Sequence, residues 1–283
     1  MISAIPQNQH YADLHIHSNC SDGLLSPSEI VHYCRDIALK TIAITDHDSI
    51  LAAEELRNIE HEDIDIIPAV EMSSNLGHLD IHILAYYVDG DDADFLSCLS
   101  ELRDHRIKRA KKIVENLSHD GIKVDFERMR ELAKNSTLGR PHIAEALREQ
   151  GYVQSIREAF VRFLSYHSPY YEPKLSVEPK RLIGRIKQWQ GIPVVAHPGI
   201  FDDDTLIERL IDEGAVGIEV WHPDHSLTCQ QRLHEMALQR RLLMTGGSDC
   251  HGHRRSSLQI GKCGCSQKEV QMLKNYKHNF RYE

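Results

Sequence analysis

The chain has 283 residues, of which 41% are hydrophobic, and this is enough to bury the core of one large domain, with or without an insertion. Lys and Arg number 33 against 42 Asp and Glu, and the resulting formal charge of −9 excludes a protein that coats nucleic acid through bulk positive potential. Nineteen histidines accompany only 6 Phe and 2 Trp. This excess of imidazole calls for a chemical explanation.

Seven short apolar runs, each rich in β-branched residues or leucine, are predicted as buried strands. In chain order they cover residues 11–18, 41–48, 64–73, 79–88, 192–198, 216–222 and 242–251. Helical patterns lie between several of them, and the first begins at a capping box in which Ser26 precedes Pro27 and Glu29. Further helices are predicted over residues 50–62, 179–190, 203–213 and 228–240. The alternation predicts an α/β fold with a mainly parallel sheet, open or closed into a barrel.

About a hundred residues separate the fourth and fifth predicted strands, far more than one crossover requires. The apolar residues of this interval recur at three- and four-residue steps, which predicts a helical insertion over 91–175. The insertion would divide one α/β domain into two parts, residues 1–90 and 176–283. The insertion begins with a basic run, which predicts a solvated helix face or, alternatively, a track for an RNA backbone. The run comprises Arg103, Arg106, Lys108, Arg109, Lys111 and Lys112.

The first ten residues carry no signal-peptide pattern, and no stretch has the 18 or more apolar residues of a membrane span, so we expect a cytoplasmic protein. Seven cysteines without a CxxC pair indicate reduced thiols. Cys263 and Cys265 could bind a soft metal, but two ordinary loop thiols are the simpler interpretation.

Histidines and carboxylates recur within or directly after the predicted strands. They are His15, His17, Asp46, His47, Glu71, His82, His197, Asp249 and His251. Because the carboxyl ends of parallel strands share one face, we expect these side chains to converge. Two histidines separated by one residue also point to the same side of a strand, as His15 and His17 would. This mixture of ligands suits Zn²⁺, Mn²⁺ or Fe²⁺.

Four motifs, read together, carry a family resemblance: DLHIHS followed by SDG, then TDHD, AHP and GSDCH. With them the chain resembles the polymerase and histidinol phosphatase (PHP) family of metal-dependent phosphoesterases. The resemblance implies a distorted (β/α)7 barrel with three divalent ions at its mouth. It assigns His15, His17, Glu71 and Asp249 to the first ion, Glu71, His82 and His197 to the second, and Asp22, His47 and His251 to the third.

About three protein ligands per ion would leave open positions, which favours catalysis over a structural role. The expected reaction is phosphoester hydrolysis by a metal-activated water, with no protein nucleophile. Asp46 is predicted to orient His47 or His15, and Glu219 is a second candidate for such a supporting role. His225, and less strongly His222, are candidates for contact with the substrate phosphate or leaving group.

The segment LGRPHIAEAL within the insertion is similar to a PHP subgroup that acts on nucleotides. That subgroup includes phosphatases that remove the 3'-phosphate of 3',5'-bisphosphonucleosides and 5'-to-3' exonucleases of short RNA. Arg140 and His142 carry this match, and Arg140 at a helix start could hold a second phosphate. The expected partner is a small nucleotide or short oligoribonucleotide, without a membrane or a stable nucleic-acid scaffold. Histidinol-phosphate phosphatase and a non-catalytic module that binds metal or nucleic acid are the alternatives.

Overall fold

The computed structural model describes residues 11–57, 63–77, 79–133, 137–173, 177–252 and 258–279. The strands in this part are β1 (Ala12–Ile16), β2 (Thr41–Ile44), β3 (Asp65–Ile66), β4 (Ala69–Leu76), β5 (Leu79–Tyr86), β6 (Ile192–Val195), β7 (Gly217–Trp221) and β8 (Leu243–Gly246). The helices are α1 (Pro27–Asp36), α2 (Leu51–Leu56), α3 (Ala93–His119), α4 (Phe126–Ala133), α5 (Arg140–Glu149), α6 (Ile156–Ala159), α7 (Pro179–Gln188), α8 (Asp204–Asp212), α9 (Leu227–Arg240) and α10 (Gln267–Asn279). A π-helical turn (Phe160–Leu164) follows α6, and a 3₁₀ turn (Pro198–Ile200) follows β6.

The strands form two sheets, which confirms the α/β class but not a closed barrel. The first sheet has the order β1-β2-β3 and is parallel. The second has the order β4-β5-β6-β7-β8; its β4/β5 and β5/β6 pairs are antiparallel and the rest parallel. The turn between β4 and β5 is too short for a crossover, so these strands pair as a hairpin. Isolated bridges from Ile16 to Cys250 and from His47 to Glu71 connect the two sheets.

Local sequence accounts for several of these boundaries. The predicted capping box is present at α1: Glu29 N–H donates to Ser26 Oγ over 3.3 Å, and Ser26 N–H donates to the Glu29 carboxylate over 2.8 Å. The predicted strand 64–73 is instead divided into β3 and β4, with Pro68 between them. A proline has no amide hydrogen for a ladder, which explains the break.

The segment between β5 and β6 is helical, as predicted, and it has an apolar core of its own. The first half of α3 packs on the main core through residues such as Phe95 and Leu99, whereas its second half enters a separate cluster with α4 and α5 through Ile113 and Leu117. Helix α3 therefore connects the insertion to the sheets. The domain boundaries at 91 and 175 stay a prediction.

Two further predictions concern cysteines and membranes. All seven cysteines are free thiols, and Cys263 and Cys265 are both buried. Within the described residues, no helix has the length and apolarity that crossing a membrane requires.

Candidate metal centre

Glu71, on β4, lies at the centre of histidines that come from four other segments of the chain. Its carboxylate is buried, and ring nitrogens approach both of its oxygens. Oε2 lies 3.4 Å from His15 Nε2, 3.2 Å from His17 Nε2 and 3.0 Å from His47 Nδ1, and Oε1 lies 2.7 Å from His82 Nδ1 and 3.0 Å from His197 Nε2. Five imidazoles around one buried carboxylate are typical of a metal centre rather than of a packed core.

Asp249 is a second carboxylate, next to Glu71, around which histidines gather. Its Oδ1 lies 3.1 Å from His17 Nε2 and 3.5 Å from His15 Nε2, and its Oδ2 lies 3.3 Å from His222 Nε2. Asp249 follows β8, which approaches β1 so closely that a Cβ on Gly247 would lie 2.3 Å from His15 Cβ. The Gly-Gly pair in TGGSD therefore allows this carboxylate to reach the histidines of β1.

Asp22 belongs to a third group, on the loop after β1. Its Oδ1 lies 3.2 Å from His251 Nε2 and 3.8 Å from His17 Nδ1. Among the described residues, three sets bring ligand atoms within 4.8 Å of one another: His17, Asp22, His47 and His251; His15, His17 and Asp249; and His47, Glu71 and His82. All nine predicted ligands thus lie in one cluster. His17 and His47 each belong to two of these sets, whereas the family resemblance assigns each of them to a single one of the three ions.

Charge in the cluster is balanced between carboxylates and imidazoles. Burial disfavours the charged form of Glu71, but the imidazoles of His82 and His47 hold its pKa well below the usual value. Burial likewise opposes a charge on His17, yet its contacts with Asp249 and Glu71 raise its pKa to about 10. Without an ion, protons on such imidazoles supply the positive charge that the carboxylates require.

Several buried atoms of the cluster are suited to hold a cation. Four buried atoms make no hydrogen bond within the described residues: His15 Nε2, His17 Nε2, His47 Nδ1 and Glu71 Oε2. Each of the three nitrogens nevertheless lies 3.0–3.4 Å from Glu71 Oε2. Buried polar atoms without partners are costly, and a shared cation would satisfy them. Because the donors are imidazole nitrogens and carboxylate oxygens, the site fits Zn²⁺, Mn²⁺ or Fe²⁺.

Glu219, on β7, contacts two of the histidines, His15 and His197, and holds them in position. Its Oε1 lies 3.0 Å from His15 Nδ1, and its Oε2 accepts a hydrogen bond of 2.7 Å from the His197 backbone N–H. An ionised carboxylate only accepts, so His15 carries its proton on Nδ1 and directs Nε2 toward Glu71. The supporting role predicted for Glu219 agrees with this geometry.

Asp13 is a supporting residue that sequence reasoning missed. Its carboxylate accepts hydrogen bonds of 2.9 Å from the backbone N–H groups of Ser248 and Gly261, and burial raises its pKa to about 6. It thereby joins β1 to the segment that carries Asp249. Its position directly ahead of the HIH sequence was the available signal.

Asp46 contacts residues other than those predicted. Its carboxylate accepts hydrogen bonds from Ser18 N–H (2.8 Å), Ser18 Oγ (2.5 Å) and Ser21 Oγ (2.5 Å), rather than from His47 or His15. Ser18 and Ser21 belong to the loop that carries Asp22. Asp46 therefore holds the loop that carries Asp22, rather than forming a hydrogen bond with His47 or His15.

Arg106 and Asp48 connect α3 to the ligand-bearing strands, and sequence reasoning missed this pair. The Asp48 carboxylate accepts hydrogen bonds from Ser73 N–H (2.7 Å) and Arg106 Nε (2.5 Å), while Arg106 Nη2 donates to Ser73 Oγ (2.5 Å). The Arg106 side chain is only 13% exposed. Its predicted place on a solvated or RNA-tracking face is therefore wrong, since the tertiary packing of α3 turns it inward.

Strained backbone marks three positions in and around the cluster. His197, Asp48 and Asp249 have φ values of 30°, 50° and 47°, in the left-handed region that disfavours residues other than glycine. Such conformations persist only where the surrounding structure imposes them, and they concentrate at functional sites.

The three predicted substrate residues have different surroundings. Arg140 donates to Asp80 Oδ2 and to the Leu164 carbonyl, each over 3.1 Å, and its side chain is 23% exposed. His142 Nδ1 accepts the Gly139 N–H over 3.1 Å at the start of α5. It therefore has a capping role there.

His225 has a structural role. Its Nε2 accepts the Gly199 N–H over 3.0 Å, and its Nδ1 lies 2.9 Å from the Val220 carbonyl. Both ring nitrogens are therefore used by the backbone. Contact of His225 with substrate stays a prediction, and these two backbone contacts do not favour it.

Comparison with known proteins identifies several relatives. The chain is 29% identical over 245 residues to phosphoribosyl 1,2-cyclic phosphate 1,2-diphosphodiesterase of Eggerthella lenta, covering 85% of this chain and 94% of the relative. It is 31% identical over 256 residues to 3',5'-nucleoside bisphosphate phosphatase of Chromobacterium violaceum, covering 88% and 90%. It is 29% identical over 247 residues to the 5'-3' exoribonuclease Rnm of Escherichia coli, covering 84% of each chain.

A solved structure shows a similar fold. It is described as a putative metal-dependent phosphoesterase from Bifidobacterium adolescentis, superposes with a TM-score of 0.85 at 29% identity, and covers 93% of this chain and 95% of that one. The PHP domain matches residues 13–176, which is more than half of the chain. The chain therefore belongs to the PHP domain family, as its four motifs predicted.

Proposed function

We propose that this chain hydrolyses phosphate esters of nucleotides with the help of three divalent ions. The observation that carries the proposal is the buried Glu71 carboxylate, with five histidine nitrogens within 3.4 Å of its oxygens. The three neighbouring sets of potential ligands support three ions. Mn²⁺, Fe²⁺ and Zn²⁺ are the candidates, because all of them accept imidazole and carboxylate.

The proposed ligands follow the family motifs, with Glu71 shared between two ions. His15, His17 and Asp249 complete the first site, and His82 and His197 complete the second. Asp22, His47 and His251 would hold the third ion. The 3.0 Å separation of His47 Nδ1 from Glu71 Oε2 also brings this histidine close to the second site.

Ions at these positions would lower the pKa of water and neutralise charge on the phosphate oxygens. The protein itself would contribute orientation and charge. Glu219 holds His15 in one tautomer, and Asp46 fixes the loop of Asp22. Arg106, anchored on Asp48 and Ser73, adds a positive charge beside the ligands. No protein nucleophile enters the proposal.

The substrate assignment rests on Arg140 at the edge of the cluster. Arg140 pairs with Asp80, which lies two residues before His82 on β5. A guanidinium held there could bind a second phosphate of the substrate through two parallel hydrogen bonds. Relatives named as a nucleoside bisphosphate phosphatase and an exoribonuclease support substrates with more than one phosphate.

Three structural predictions accompany the function. We propose that the two sheets are halves of one distorted barrel, which the Ile16–Cys250 and His47–Glu71 bridges support. We also propose that residues 91–175 are a separate domain covering the site; Arg106 of this segment supports this, because it donates to Asp48 and Ser73, next to the ligands His47 and Glu71. A cytoplasmic location remains a prediction.

A panel of phosphate esters tests the function. Protein reconstituted with Mn²⁺ is assayed with a 3',5'-bisphosphonucleoside, a 5'-phosphorylated oligoribonucleotide, AMP, histidinol phosphate and a ribose 1,2-cyclic phosphate. We expect turnover of the first two, and its loss in Asp249→Ala with an unchanged circular dichroism spectrum. Exclusive turnover of histidinol phosphate or the cyclic phosphate would contradict the nucleotide assignment. Full activity in Asp249→Ala would contradict the metal assignment.

A further inference from the structure

Three aromatic rings are grouped on the surface of the insertion, directly after its π-helical turn. The Tyr166 ring lies 5.1 Å from His167 and 5.4 Å from Tyr171, both in edge-on geometry. Tyr166 is 46% exposed, His167 is exposed and Tyr171 is half-buried. We call these three residues the aromatic platform. Its rings are not part of the apolar cluster of the insertion.

The backbone beneath the aromatic platform is held in place by Ser168. Its Oγ donates to the Phe163 carbonyl over 2.7 Å and accepts from Tyr170 N–H over 3.2 Å. Its own carbonyl accepts from Tyr171 N–H over 3.0 Å. A segment fixed in this way loses little conformational entropy when a ligand binds to it.

Arg109 extends the platform toward the ligand cluster. Its guanidinium carbon lies 5.4 Å from the centre of the Tyr171 ring, and its Nε donates to the Glu172 carbonyl over 2.7 Å. Its Nη2 is buried and makes no hydrogen bond in the described part of the chain. Burial and the neighbouring Arg140 charge lower the pKa of Arg109 to about 10. A bound anion next to this guanidinium would offset the neighbouring Arg140 charge.

Neighbouring charged residues link the platform to the candidate metal centre, since Arg140 and Asp80 both lie close enough to Arg109 for their charges to act on it. Arg140 donates to Asp80, and Asp80 and His82 lie on the same side of β5 because strand side chains alternate. Their separation is about 7 Å, from a rise of roughly 3.4 Å per residue. His82 contacts Glu71 at 2.7 Å. A chain of phosphates could therefore leave the ligand cluster past Arg140 and Arg109 and reach the platform.

We propose that the aromatic platform and Arg109 form a subsite for nucleotides beyond the reacting phosphate, so that the preferred substrate is a single-stranded oligonucleotide. Exposed aromatic rings beside arginines are how proteins bind single strands without reading their sequence, since every base can stack. The inference rests on the proposed function, because it assumes that the reacting phosphate binds at the metals.

The test compares an oligonucleotide with a mononucleotide in the same variants. Tyr166→Ala and Tyr171→Ala are assayed with a 5'-phosphorylated hexa-adenylate and with 3',5'-bisphosphoadenosine. We expect the ratio of the two kcat/KM values to fall about ten-fold in each variant, through the KM of the hexamer, as the loss of one stacked base predicts. Tyr171→Phe should restore the ratio, because it keeps a ring that can stack.

Tyr170→Phe is the matched control. Tyr170 packs on Phe163 and donates from its hydroxyl to Asp120 over 2.6 Å, outside the platform, so its replacement should leave the ratio unchanged. A ratio within two-fold of wild type in both alanine variants would overturn the proposal. Variants with an altered circular dichroism spectrum are replaced by Tyr166→Leu and Tyr171→Leu, to which the same criterion applies.

Binding in EDTA separates this inference from the proposed function. Fluorescence anisotropy of a labelled hexa-adenylate measures affinity without ions or turnover. We expect Kd to rise about ten-fold in the platform variants and to stay constant in Tyr170→Phe. In one outcome, the wild-type protein hydrolyses no nucleotide while the platform variants bind hexa-adenylate more weakly than wild type does. In that case the proposed function would fail and the subsite would stand. Equal Kd values in all variants would overturn the subsite.

Discussion

Replacing Glu219 by glutamine is expected to weaken metal binding at the cluster while keeping the fold. The Glu219 carboxylate faces two donors, with Oε1 at 3.0 Å from His15 Nδ1 and Oε2 at 2.7 Å from His197 N–H. A glutamine has one accepting oxygen in place of two, so either His15 or His197 would face an amide that cannot accept. A hydrogen bond to a charged group contributes roughly 1.5–3 kcal/mol. That range corresponds to about a ten- to hundred-fold loss of affinity, as for supporting groups at other metal sites.

Isothermal calorimetry of metal-free protein with Mn²⁺ measures the effect directly. Glu235→Gln, on the exposed side of α9, is the matched control, since it removes the same charge from a residue with no contact to the ligands. We expect a weaker Kd only in Glu219→Gln, with equal unfolding midpoints in both variants. A Kd within two-fold of wild type would refute the reasoning that Glu219 orients His15.

Three other predictions follow from the geometry of the site. Asp46→Asn should lower metal-dependent activity about ten-fold, because it weakens the hydrogen bonds that hold the loop of Asp22. Calorimetry should show fewer bound ions per chain than in wild type, and an unchanged number would contradict this prediction. The pKa of His17 is raised to about 10, so protons compete with a metal ion for this imidazole. The apparent affinity for Mn²⁺ should therefore increase from about pH 6 to pH 9, and binding should release protons. A pH-independent Kd would contradict this prediction. Arg106→Ala should lower the free energy of unfolding by about 3 kcal/mol in urea titrations, because it leaves the buried Asp48 charge unpaired, and a change below about 1 kcal/mol would contradict the pairing.

The ligand cluster was predictable from sequence because of where its residues fall relative to the strands. His15, His47, His197 and Asp249 lie at or just beyond strand ends, and parallel strands bring such ends together. His82 joins the cluster differently: β4 and β5 form an antiparallel hairpin, in which His82 pairs with Ser73, two residues after Glu71. The prediction of a mainly parallel sheet did not contain this pairing.

The supporting contacts were less predictable because they depend on loop paths and helix orientation. Asp46 is adjacent to His47 in the sequence, yet its carboxylate contacts Ser18 and Ser21 on the loop after β1 instead. Arg106 lies in a basic run that reads as a solvated face, but α3 packs on the main core and turns this one guanidinium toward Asp48. Sequence periodicity alone cannot distinguish such a buried arginine from its exposed neighbours.

Glu71 is the shared ligand on which the proposed multi-ion centre depends. The most direct test is the metal content of the purified protein after reconstitution with Mn²⁺, measured by inductively coupled plasma mass spectrometry for wild type and Glu71→Gln. Three sets of ligands predict three ions per wild-type chain, and loss of the shared carboxylate predicts at most one in Glu71→Gln, together with loss of phosphate release. A wild-type chain that binds no ion, or a Glu71→Gln chain that keeps the full complement and activity, would contradict the account.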